Sequence, residues 1–233
     1  MFRCLLGCFV VGVSLTAVGE EPASKPTDGK PTSTIVVFGD SITAAKEQPE
    51  SKRWPSLLAQ RLQKAAPDRR IRVVNAGVGG NTSREALARI EKDVLSHRPD
   101  VVTLEFGGND ATDDPARHVD LKEFERNMAT MVAKIRKVNP QAAIVIVTFP
   151  PVIDSRHAHG AMRGGLDRYV ESYRESARRF AKDRKLRLVD LDAVIRPRAE
   201  QNVLADGVHL TVEGNEAAAQ AVDRVVRGAM AIH

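Results

Sequence analysis

Ile35-Val36-Val37-Phe38-Gly39-Asp40-Ser41-Ile42-Thr43 decides how the rest of the chain is read. Four apolar residues in a row that stop at Gly-Asp-Ser predict a buried strand ending in a tight turn, with polar chemistry at its carboxyl end. The pattern then repeats outward from that strand. Trp54 to Ala65 follows as an amphipathic stretch, and Val73-Val74 is followed by Ser83 to Leu95. Val101 to Leu104 is followed by Leu121 to Val138, and Ile144 to Val147 by Leu166 to Lys185. Leu186 to Val189 supplies a fifth strand, and Thr211 to Ile232 a last helix with Thr211 as its N-cap. Near-continuous apolar strands alternating with helices predict an α/β fold, a three-layer α/β/α sandwich around a mostly parallel five-stranded sheet. Such open sheets bind ligands in the crevice beyond the carboxyl ends of their strands.

The flanks are of a different character. Met1 to Arg3 is a basic start, Cys4 to Val18 is apolar, and Ala17-Val18-Gly19 has the small-x-small form of a cleavage site, so residues 1–19 are expected to be a secretory signal peptide and the protein to be exported, periplasmic or extracellular. The apolar run is too short to span a bilayer, so no stable membrane insertion is expected after cleavage. Leu5-Leu6-Gly7-Cys8 has the form of a lipid-attachment box, but almost no apolar stretch precedes it. Residues 20–33, rich in Pro, Ser, Thr and Lys, are expected to be a flexible leader, and 34–233 the folded domain.

Composition removes several chemistries. Both cysteines, Cys4 and Cys8, lie in the signal, which leaves no disulfide, thiol nucleophile or thiolate metal site in the mature chain. The formal charge of +5 becomes +4 without Arg3, and the cations are interleaved with acids, as in Arg84-Glu85 and Glu171 to Arg174, which reads as solvated surface. With 4% aromatic residues and no basic stripe, no nucleic-acid partner is expected.

Four loops carry the polar residues. Ser41, on the turn after the first strand, can expose its hydroxyl and start a helix whose N–H groups face an anion. Gly77-Val78-Gly79-Gly80-Asn81-Thr82 follows the second strand, without the Gly-Lys-Ser/Thr ending of a phosphate loop or a complete GxGxxG spacing. Bare glycine N–H groups can approach an oxyanion closely. Gly107-Gly108-Asn109-Asp110 can aim a side-chain amide into the same crevice. Asp206-Gly207-Val208-His209 puts a carboxylate three residues before an imidazole, where it can hold Nδ1–H and leave Nε2 to take a proton from a serine.

With these four blocks the chain resembles the SGNH/GDSL hydrolase superfamily of esterases, lipases, thioesterases and acyl transferases, from about Thr34 to the end of the sequence. The resemblance implies a flavodoxin-like fold with Ser41 as nucleophile and His209 as base oriented by Asp206. It also implies an oxyanion hole from the N–H groups of Ser41 and Gly80 and the Asn109 amide, with Gly79 an alternative to Gly80. No metal or organic cofactor is expected.

Rival readings fit less well. A metallophosphoesterase wants Asp-x-His after the first strand and a later Gly-Asn-His, but the chain has Asp40-Ser41-Ile42 and Asn109-Asp110. An α/β-hydrolase wants a G-x-S-x-G elbow. His157 and His159 form an H-x-H pair, read as part of a solvated lid loop rather than as zinc ligands. The polar residues of 150–165 suit short acyl esters of carbohydrate or other polar alcohols, a small-molecule or carbohydrate ester being the expected partner. A lysophospholipase or thioesterase, a sugar O-acyltransferase and a non-catalytic binding member are the alternatives.

Overall fold

A computed structural model describes residues 30–157 and 165–232. The expected signal peptide, residues 20–29 of the leader and His159 lie outside the described residues. Five strands form one sheet: β1 (Thr32–Gly39), β2 (Arg70–Gly77), β3 (Val101–Glu105), β4 (Ala143–Val147) and β5 (Arg187–Val189). Their order is β2-β1-β3-β4-β5, and every pairing is parallel. β1 begins at Thr32, two residues inside the segment read as leader, because Thr32 and Ser33 pair with Arg70 and Ile71 on β2.

The helices are α1 (Ser41–Ala44), α2 (Trp54–Ala65), α3 (Ser83–Asp93), α4 (Leu121–Val138), α5 (Leu166–Asp183), α6 (Leu191–Ile195), α7 (Ala199–Asn202) and α8 (Val212–Met230). The α2 and α4 ranges match the apolar periodicity residue for residue. The short α6 and α7, with too few residues to show a period, are not foreseen. Two of the long helices that open next to the site, α3 and α8, are capped by the side chains their sequence supplies, whereas α5 starts after Gly165 without a side-chain cap. Thr82 and Glu85 form a reciprocal capping box at α3, and the Thr211 hydroxyl accepts from Gly214 N–H at 3.0 Å at α8.

Helices α2 and α8 pack on one another in one layer, and α3, α4 and α5 follow one another in a second. Ile35, Val36, Val37 and Phe38 of β1 are completely buried between them. Burial contributes at most about 1.5–3 kcal/mol per such side chain, which is why the central strand reads as an unbroken apolar run. The expectation of a solvated Glu171–Arg174 surface is corrected here. Arg174 is fully buried and reaches the carbonyls of Phe149 and Pro150 at 3.0 and 2.7 Å, together with Asp167 at 2.6 Å. Interleaved charges pair in either setting, so their alternation does not reveal depth.

The order of the strands locates the site. From β1 the chain goes to β2 on one side and then crosses back to β3 on the other, so the connection reverses direction between β1 and β3. The crevice of such a sheet lies outside the carboxyl ends of the strands at that reversal. Ser41 follows β1 there, and Asn109 follows β3.

Candidate active site

At the end of β1, Gly39 stands between Gly77 and Glu105 on the neighbouring strands. An added Cβ on Gly39 would lie 2.1 Å from the Thr43 hydroxyl, and one on Gly77 would lie 2.2 Å from Ala44 N. Both glycines are therefore required for α1 to fold back onto the strand ends. Asp40 caps that turn. Its Oδ1 accepts from Ile42 N–H and its Oδ2 from the Asn109 amide, both at 2.9 Å. The serine block and the asparagine block are thus joined through one buried carboxyl group.

Arg89 of α3 fixes the glycine block to the same edge. It donates to the carbonyls of Gly39 (2.9 Å) and Ala76 (2.8 Å) and to Asn81 Oδ1 (2.7 Å), and stacks over Phe38 at 4.4 Å. Gly80 takes φ +77°, which favours glycine, and its carbonyl accepts from Arg117 at 2.5 Å. Gly79 lies against Ser41: a Cβ there would be 3.7 Å from the Ser41 Cβ. Among the described residues, the N–H groups of Ser41, Gly79 and Gly80 have no acceptor.

Gly108 lets the asparagine loop press on Phe149, whose ring a Cβ would enter at 2.2 Å. Asp110, behind Asn109, accepts from Ser83 N–H and from the Ser83 hydroxyl at 2.5 Å, which ties the loop to the start of α3. The imidazole of His209 lies on a loop closed by the Val203–Leu210 bridge. Asp206 Oδ1 accepts from the N–H groups of Val208 and His209, each at 3.0 Å, and its Oδ2 is 2.7 Å from His209 Nδ1. Partial burial pushes Asp206 up, but these donors outweigh it and hold the carboxyl below its ordinary range. Trp54 links this loop to α1, donating from Nε1 to Ile42 O (2.9 Å) and from its backbone to Asn215, which caps Leu210 and Thr211.

Ser41, Asn109, Asp206 and His209 line one cavity of 640 Å³. Gly79 and Gly80 are not among its lining residues. Phe149, Val152, Leu166, Val170 and Val208 form an apolar side that was not foreseen, although Leu166 and Val170 have the i, i+4 spacing of one helix face. Glu47 was also missed; its Oε1 is 3.6 Å from His209 Nε2. The first part of the expected lid is docked rather than solvated. Ile153 N–H donates to Gly207 O at 2.8 Å, and Arg156 pairs with Glu200.

A family model, the GDSL-like Lipase/Acylhydrolase family, matches residues 37–217. The chain belongs to this family. As such it is a carboxylic ester hydrolase. It is 32% identical over 197 residues to mouse isoamyl acetate-hydrolyzing esterase 1 homolog, covering 78% of this chain and 76% of that one. It is 27% identical over 185 residues to the uncharacterized lipoprotein YqeF of Bacillus subtilis, covering 70% and 72%. The acetylxylan esterase Axe2 of Geobacillus stearothermophilus superposes with a TM-score of 0.69 at 26% identity, over 84% of this chain and 95% of that one. That enzyme has also been solved as catalytic mutants of a serine, an aspartate and a histidine, the aspartate three residues before the histidine. Among the described residues of this GDSL-family chain, no helix is long and apolar enough to cross a membrane.

Burial dominates the titration of the carboxyls beneath the site. It pushes Asp110 up to about 6 and Asp40 to about 7, against the hydrogen bonds that each accepts. A carboxyl whose folded value exceeds its ordinary 3.8 stabilises the fold while protonated. That contribution is complete below about pH 4 and is lost as pH rises through the folded value. Asp110→Asn keeps an acceptor for Ser83 but removes one titration. Its Tm relative to the native protein is therefore expected to rise between about pH 5 and 7 in a thermal melt series. A difference that stays constant across that range would refute the assignment.

Proposed function

We propose that the protein is a serine esterase in which Ser41 attacks the ester carbonyl and His209, oriented by Asp206, takes the serine proton. The observation that carries this is the 2.7 Å contact of His209 Nδ1 with Asp206 Oδ2 on the wall of the cavity that Ser41 and Asn109 also line. With Nδ1–H held by the carboxylate, Nε2 is left as the base. The Asp-x-x-His spacing is that of the catalytic mutants of the acetylxylan esterase. The imidazolium formed on proton transfer gains from Asp206 on one side and Glu47 on the other.

The tetrahedral oxyanion is received by the N–H groups of Ser41 and Gly80 and the second N–H of the Asn109 amide, whose first is held by Asp40. Gly79, with an equally free N–H beside Ser41, is the alternative to Gly80. Collapse of the intermediate expels the alcohol, which takes its proton from His209, and water then cleaves the acyl-enzyme by the same acid-base route. Removing the amide in Asn109→Ala is expected to lower kcat about 100- to 1,000-fold with KM little changed. Steady-state kinetics with an unchanged kcat would remove Asn109 from this role.

The preferred substrates are proposed to be short acyl, above all acetyl, esters of carbohydrate or other polar alcohols. Thr112, Asp113, Asp114, Arg117 and Asp206 give the cavity a polar side. Both the acetylxylan esterase and the isoamyl acetate-hydrolyzing relatives are named for acetyl esters. The apolar side formed by Phe149, Val152, Leu166 and Val170 favours a second reading, an acyl hydrolase of longer chains. A chain-length series of nitrophenyl esters decides between them. Rates that peak at acetyl or butyryl support the first, and a peak at octanoyl or longer supports the second. Export through residues 1–19 remains part of the proposal, and secretion of the full-length chain with N-terminal sequencing of the product tests it.

A further inference from the structure

Three carboxyl groups are buried beneath Ser41: Asp40, Glu105 and Asp110. Asp40 has the Ile42 N–H and the Asn109 amide as donors, and Asp110 has the N–H and hydroxyl of Ser83. Glu105, the last residue of β3, is less well served. Its Oε2 accepts from the Thr43 hydroxyl at 3.0 Å, but its Oε1 is buried with no donor among the described residues. An oxygen sealed from water without a partner costs about 1–3 kcal/mol, and more if it is charged. A proton on Oε1, donated to a neighbouring acceptor, would remove that cost. Glu105 pairs across the strands with Gly39, the residue before Asp40, and a Cβ on Gly39 would lie 2.8 Å from Glu105 Oε2, so the Asp40 and Glu105 carboxyls are buried side by side.

We propose that Glu105 is a positioning residue for the oxyanion site: protonated on Oε1, it donates to Asp40, whose carboxylate holds the Asn109 amide toward the cavity. The proposal rests on the reading of Asn109 as an oxyanion donor.

The placement of the proton follows from the surroundings. Asp40 and Thr43 face Glu105 from the end of β1 and from α1, and Asp110 stands near Asp40 on the loop after β3. The guanidinium that reaches this edge, Arg89, is already engaged by Asp93 and the carbonyls of Gly39 and Ala76. One cation cannot neutralise three carboxylates out of contact with water, so a proton is retained. A shared proton resides on the partner with fewer donors. Glu105 has one, Thr43, whereas Asp40 has two. Burial and the charge of Asp40 both push Glu105 well above the usual carboxylate range.

The test is kinetic and spectroscopic, on the full chain. Glu105→Ala is expected to lower kcat about tenfold or more while KM changes less than about threefold, and Glu105→Gln, whose amide N–H replaces the O–H, is expected to restore most of that loss. In an Asn109→Ala background, Glu105→Ala should cost little further kcat, because the group it acts through is gone. Additive losses, or a Gln variant no better than Ala, would overturn the proposal. Should Glu105→Ala not fold, the infrared difference between the native protein and Glu105→Gln at neutral pH decides. A protonated-carboxyl stretch lost in the variant is expected, and its absence from the native protein would refute the assignment. An Asn109→Ala variant with native kcat would bring down the oxyanion reading together with this one. A collapse of kcat in Asn109→Ala beside a native kcat in Glu105→Ala would bring down this one alone.

Discussion

Ser41→Ala is expected to reduce kcat for a nitrophenyl ester on the order of 10⁴- to 10⁶-fold and to leave the melting temperature nearly unchanged. The two halves of this expectation have separate origins. The loss of rate follows from the chemistry: a methyl group cannot form the acyl-enzyme, and the residual turnover is what binding and the oxyanion donors provide to a bound water. The unchanged stability follows from the structure. The Ser41 hydroxyl has no hydrogen-bond partner among the described residues, and the turn is held instead by Asp40, through Ile42 N–H and Asn109. Thr43, two residues on, is the contrast. Its hydroxyl is buried against Glu105, so Thr43→Val should destabilise without preventing acyl transfer. Kinetics and thermal melts on the same Ser41→Ala preparation check both halves. Activity above about 1% of native, with contaminating esterase excluded, would mean that Ser41 is not the nucleophile.

A serine free of structural duty is also what made the site readable from sequence. Gly39-Asp40-Ser41 and Asp206-x-x-His209 are local: each is set by a turn or cap encoded within a few residues, as Asp206 shows by accepting from Val208 and His209, whereas the Asn109 amide, legible as a short polar block, is aimed by the distant Asp40. The sheet was readable for a related reason, since strands buried on both faces must be apolar throughout. Glu105 was not, because Val101 to Glu105 ends where a charged residue is expected to turn outward. The bare Cα of Gly39 and the hydroxyl of Thr43, from another strand and helix, hold Glu105 inside. Glu47 faces His209 across more than 160 residues of chain, and no local pattern encodes such a meeting. The apolar wall was half legible. Leu166 and Val170 show a helical face, but that they turn to the cavity depends on where α5 docks.

Arg174→Ala is expected to destabilise the fold by about 2–5 kcal/mol, chiefly the cost of leaving two buried carbonyls without donors. The guanidinium has no exposed surface and uses each of its nitrogens. Nε donates to Phe149 O, Nη2 to Pro150 O and Asp167, and Nη1 to Glu171. Its loss takes one cation from Asp167 and Asp192, which keep Arg196 and, for Asp192, Arg178 as well, and it leaves the two carbonyls that follow β4 without their guanidinium donor. Lysine cannot repair this, because one ammonium cannot reach two carbonyls and two carboxylates in the plane that a guanidinium spans. The consequence extends to the site. Phe149 and Val152 line the cavity, the Phe149 ring fixes the approach of Gly108, and Asn109 follows directly. Arg174→Lys is therefore expected to retain the fold at reduced stability and to raise KM for the longer members of a chain-length series more than for acetyl esters. Urea titrations with an unchanged m-value give the stability difference. A loss below about 1 kcal/mol in Arg174→Ala would show that the cluster is solvated in solution.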